Sequence, residues 1–251
     1  MTNDSSFFMW GERGLVASFF ADLHQMGSAD AFAAFLSVVD FPPEADIRRL
    51  KPGNVEYIIE PDFGNRGFGH PDAVVVVEQG DGVKVVIIIE AKRSSYEHAC
   101  VSRDQRGTLG FNSKLNGQLE LDYCLALALS SFESSQAVLT EPSWILSSPY
   151  QSDRKGTSRL LKNRVVLRHV VSKLCGLPLE NYYYIVLTND LRNPLDSVEE
   201  TYRPELCWQI DRHGRSTFED GWHRMRRQFG WLNTTTLQKV DLPAREWVSN
   251  P

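Results

Sequence analysis

The chain has 251 residues, 42% of them hydrophobic and 24% charged, a composition that excludes a disordered polypeptide and is large enough for a full core. Its formal net charge of -5 excludes a bulk polycation, so contact with nucleic acid would have to come from local basic patches. Cys100, Cys124, Cys175 and Cys207 form no CxxC pair, which argues against structural zinc and a disulfide framework and for reduced thiols in the cytoplasm.

The N-terminus carries no basic leader, and no apolar run reaches membrane-spanning length, so a soluble cytoplasmic protein without a membrane partner is expected. The first helix is predicted over residues 10–25, where Leu15, Val16, Phe19, Phe20 and Leu23 form one apolar stripe. Glu12 falls in its first turn, where an acid complements the helix dipole. A second helix follows Ser28, with Phe32, Phe35, Leu36 and Val39 as its stripe, and Pro42 and Pro43 stop it.

Residues 54–60 alternate enough to be a strand, with Glu56 and Glu60 on one face, where edge-strand acids are expected to be solvated. The glycine-rich stretch 64–70 is not a phosphate-binding P-loop, because no Gly-Lys-Ser/Thr follows and a strand comes next.

Residues 71–92, PDAVVVVEQGDGVKVVIIIEAK, organise the chain. Two Val/Ile runs, 73–77 and 83–89, read as central strands covered on both faces, joined by a hairpin at Gln79-Gly80-Asp81-Gly82. With a three-residue loop and a left-handed Gly82, Asp72 stands opposite Glu90; with a two-residue Asp81-Gly82 loop it stands opposite Ala91 and the acids lie on different faces. Glu90 and Lys92 share a face either way. Such charges at the end of an apolar sheet need partners. They form either a structural ion-pair network or a divalent-metal site with a lysine beside it.

Pro71-Asp72 followed by Glu90-Ala91-Lys92 at the end of the next apolar strand resembles the PD-(D/E)XK nuclease superfamily, whose members hydrolyse nucleic acid with Mg²⁺. The resemblance implies a restriction-endonuclease-like α/β fold with an α-β-β-β-α-β core. It also implies Asp72 and Glu90 as ligands of Mg²⁺ or Mn²⁺, and Lys92 as the catalytic lysine. Glu12 resembles the glutamate that the N-terminal helix of such enzymes contributes. Gln118 and Tyr123 resemble a glutamine and tyrosine carried by the helix after the catalytic strand, at a spacing of five rather than the usual four.

After Lys92 the chain turns polar through residue 112, a loop whose Arg103 and Arg106 either grip phosphate or are solvated. Residues 115–132 are a clear helix, with Gln118 and Asp122 on one side and Leu119, Tyr123 and Ala126 on another. Tyr123 also reads as core filler, whereas a buried Gln118 would need a hydrogen-bond partner. A polar run precedes a basic helix at about 158–174. Arg154, Lys155, Arg159, Lys162, Arg164 and Arg168 form the densest positive cluster, either a phosphate-backbone contact or a solvated face.

Residues 181–188, NYYYIVLT, are a strand expected to lie beside the Glu90 strand. Beyond them, a strand at 205–210 and a helix at 218–232 are expected. The aromatics and arginines of that helix either stack on bases or, as the preferred reading, pack with snorkelling arginines.

The expected architecture is a single α/β domain, a mixed sheet flanked by helices. Its core spans about 10–135 plus 181–188, with an inserted helical segment at about 140–180 and a C-terminal extension at 191–251. The expected function is Mg²⁺-dependent hydrolysis of nucleic acid, DNA ahead of RNA, with a homodimer or larger complex as one way to act on two strands. The rivals are a non-catalytic nucleic-acid-binding or assembly subunit and an acidic protein-interaction module.

Overall fold

Val and Ile are stiff at χ1 and pack well on a pleated surface, which favours extended backbone wherever they run together. In a computed structural model of the chain, which describes residues 12–26, 29–61, 63, 70–92, 115–130, 165–189, 193 and 226–237, the two Val/Ile runs are β2 (Ala73–Gln79) and β3 (Lys84–Lys92). Before them come α1 (Glu12–Gln25), α2 (Ala29–Val38) and β1 (Pro52–Ile59). After them come α3 (Leu115–Ser130), α4 (Val165–Leu174), β4 (Tyr182–Thr188), β5 (Phe229–Asn233) and a one-turn α5 (Thr234–Leu237).

The strands form one mixed sheet in chain order. β1, β2 and β3 are an antiparallel meander, and β4 and β5 run parallel to β3 and to each other. A parallel neighbour cannot be reached by a tight turn, so the chain between β3 and β4 must cross over the sheet, and α3 and α4 lie within that connection.

Each face of the sheet has its own layer. Val75, Val77, Val85, Ile87, Ile89, Tyr183, Ile185 and Leu187 point to one side and pack with Val16, Phe19, Phe20 and Leu23 of α1 and with Phe32 and Phe35 of α2. The alternate residues face α3 and α4. There the Tyr123 and Tyr184 rings lie 6.3 Å apart, the Tyr182 hydroxyl donates to the Leu174 carbonyl, and Lys173 pairs with Glu56 of β1. Glu56 is therefore engaged away from the end of β3. Of the segment read as an insertion, α4 buries Val170, Val171 and Leu174, while the polar run before it lies outside the described residues.

Because β2 and β3 are apolar on both faces, burial alone does not choose their register; the connection does. Gly82, in the left-handed region at φ 84°, donates its N–H to the Gln79 carbonyl at 2.9 Å. The Gln79 N–H donates to the Val83 carbonyl at 2.9 Å, and Asp81 Oδ1 accepts from the Val83 N–H at 3.0 Å. This is the three-residue loop of the two alternatives, and it sets Ala73 opposite Ile89 and Glu78 opposite Lys84.

The C-terminal expectation needs correction. Phe229–Asn233 is a strand, not the end of a helix over 218–232; among the described residues of that range Arg226 and Arg227 are helical, and 218–225 lie outside them. The reason is a long-range contact. A Cβ on Gly230 would lie 2.6 Å from the Phe41 ring and 2.7 Å from Val39, so the glycine lets β5 press against the segment after α2. Asp40 closes the strand's far edge: its N–H donates to the Trp231 carbonyl at 2.9 Å, and its Oδ2 accepts from Trp231 Nε1 at 3.0 Å. The strand expected at 205–210 lies outside the described residues.

Two neighbouring glycines separate conformational need from mere space. Gly82→Ala forces a Cβ into the left-handed region and is expected to cost about 1–2 kcal/mol in denaturant unfolding. Gly80→Ala meets nothing within 4 Å and is expected to stay within about 0.5 kcal/mol of the parent.

Candidate functional site

The register that aligns the apolar residues also aligns the charges. Continuing the pairing one step past Ala73 and Ile89 sets Asp72 opposite Glu90, and Asp72 Oδ2 accepts the Ala91 N–H at 2.8 Å. The Asp72 carbonyl accepts the Glu60 N–H at 3.0 Å, which fixes the aspartate from both neighbouring strands. Lys92, two residues beyond Glu90, returns to the same face and lies beside Thr188 of β4. This face is the one that α3 covers, and α3 adds Asp122.

All four charged groups are inside the protein. Glu90 and Asp122 are each 1% exposed, Asp72 7% and Lys92 9%. Were all four ionised, two negative charges would stand in excess of the lysine. Burial pushes the Glu90 carboxyl well above the usual carboxylate range; the charges of Asp122 and then Asp72 push it further, and Lys92 acts in the opposite direction. Burial likewise raises Asp122, with Asp72 adding to the effect and Lys92 opposing it. When Glu90 and Asp122 are ionised, none of their four carboxylate oxygens accepts a hydrogen bond from a protein donor.

Buried acceptors without donors are rare enough to need a reason. Hard oxygen donors with an excess of negative charge suit a divalent ion such as Mg²⁺ or Mn²⁺. Among the described residues no group of three or more His, Cys, Asp or Glu side chains is disposed to hold a metal ion together. Asp72 and Glu90, opposed across β2 and β3, are the two carboxylates that could hold such an ion.

The other expected site residues lie as follows. Gln118 is on α3 one turn before Asp122, with its Oε1 buried and without a donor. Tyr123 is buried against Tyr184, consistent with its reading as core filler. Glu12 opens α1, a helix on the opposite face of the sheet from Glu90, and its side chain lies outside the described residues. Arg168 is exposed on α4, whereas Arg154, Lys155, Arg159 and Arg164 lie outside the described residues, as does the polar stretch 93–112. Among the described residues no helix is long and apolar enough to cross a membrane.

Asp122 is the buried charge that sequence reasoning did not assign to the site. Its signal was an acid in a helix otherwise rich in leucine, four residues after Gln118.

The pH dependence follows from these shifts. An acid whose folded pKa is raised binds more protons when folded, so it weakens the fold as pH climbs from its unfolded value, near 4, through the folded one. In metal-free protein, Glu90→Gln is expected to raise the melting temperature at pH 8 by roughly 2–4 °C per kcal/mol of repulsion relieved. The gain should shrink toward zero near pH 4, as melting in chelator across that range would show. A gain independent of pH would contradict the raised Glu90.

No family model, curated protein or solved structure matches the chain, and the site's chemistry is therefore read from its own residues.

Proposed function

We propose that the chain is a Mg²⁺-dependent nuclease that hydrolyses phosphodiester bonds, with Mn²⁺ able to take the place of Mg²⁺ and DNA the favoured substrate over RNA. The observation that carries this reading is the convergence of Asp72, Glu90 and Lys92 at the buried end of β2 and β3, with both Glu90 oxygens lacking a protein donor. A restriction-endonuclease-like arrangement of the sheet and helices belongs to the same proposal.

In this reading Asp72 and Glu90 hold the ion. Asp72 is pre-set for the task because the Ala91 N–H fixes one of its oxygens. A bound Mg²⁺ supplies Lewis acidity toward the scissile phosphate and lowers the pKa of coordinated water. Lys92, on the same face as Glu90, either orients and deprotonates the attacking water or neutralises charge on the phosphate. Gln118, on α3, is a secondary participant, whereas Glu12, on a helix of the opposite face, is given no role. Arg168, with Arg154, Lys155, Arg159 and Arg164, is assigned to the phosphate backbone, where each contact adds affinity that falls with salt.

The test is cleavage of plasmid DNA, single-stranded DNA and RNA by the full chain, with chelator, Mg²⁺ or Mn²⁺. Cleavage is expected with either metal and not with chelator. Glu90→Ala and Lys92→Ala are each expected to lower the rate at least about 100-fold while remaining folded by circular dichroism. Equal rates for the parent and both variants would reject the catalytic assignment.

A further inference from the structure

Asp122 differs from the other two acids in its source and its surroundings. It comes from α3 rather than the sheet, it is 1% exposed, and neither of its oxygens meets a protein donor. It lies on the helix that packs over β3, on the face that Glu90 shares. Yet among the described residues no three acids are disposed to hold one ion jointly. A carboxylate beside a cation pocket, outside the direct ligand set and without donors of its own, is matched by the O–H groups of metal-bound water, which are strong donors to an anion.

We propose that Asp122 anchors the divalent cation through its coordinated water, with Asp72 and Glu90 binding the ion directly and Asp122 accepting hydrogen bonds from the water on the α3 side. The proposal rests on the cation-binding reading of the site. Gln118, one turn earlier on the same side of the helix and with an Oε1 that has no donor, offers a second acceptor to the same water. Buried Tyr123 and Leu119 hold α3 against the sheet, so Asp122 sets where the water sits. Asp122 is thus a positioning residue.

The experiment measures Mn²⁺ binding to the full chain by calorimetry, and counts the waters on bound Mn²⁺ by water-proton relaxation. The parent is expected to bind Mn²⁺ and Glu90→Gln to lose it. Asp122→Asn should weaken binding about 10–100-fold without changing the number of waters. Where the asparagine variant does not fold, Asp122→Ala carries the same expectation. Affinity of the Asp122 variant within twofold of the parent overturns the proposal, and so does the gain of one coordinated water, which would make Asp122 a direct ligand. Failure of the parent to bind Mn²⁺ overturns the cation reading of the whole site, an outcome distinct from the first two because it does not depend on the variant.

Discussion

β2 and β3 are buried on both faces, so sliding one against the other by a residue exchanges one set of Val and Ile side chains for another and costs little by burial alone. The Gly82 turn removes that freedom. With Gly82 at positive φ and its N–H bonded to Gln79, the loop spans three residues, and Ala73 can only face Ile89. Every charge at the other end of the hairpin inherits its position from this connection. A shift of one residue would leave Asp72 and Glu90 on opposite faces of the sheet.

Placing the acids together in a dry interior creates a second constraint. Taking a carboxylate out of water costs several kcal/mol even after relaxation, and one lysine cannot compensate three acids. Burial and the neighbouring acids push the Glu90 and Asp122 carboxyls toward their protonated forms. A divalent cation would meet it differently, by matching the excess charge and supplying water molecules to the orphaned oxygens. A cation bound there would compete with protons, and its binding would release them.

The central sheet was legible in the sequence because its signals are local. β-branched runs identified β2, β3 and β4, helical stripes identified α1 and α2, and the glycine-rich turn narrowed the register to two choices. The pairing of Asp72 with Glu90 followed once the structure selected one of them. What escaped the sequence depended on distant contacts. Asp122 joins the site only because the crossover lays α3 over β3. The strand at Phe229–Asn233 was read as helix because aromatics spaced along 218–232 suit a helical stripe, whereas the fit of Gly230 against Phe41 is visible only after folding. The basic cluster offered no local signal separating a phosphate contact from a solvated face.

The most direct test of a cation between β2 and β3 is anomalous diffraction from crystals grown with Mn²⁺. A strong peak roughly 2.0–2.3 Å from carboxylate oxygens of both Asp72 and Glu90 is the predicted result. The contrary result is an ordered site in which these oxygens are occupied by Lys92 and shared protons, with no peak near them at saturating Mn²⁺.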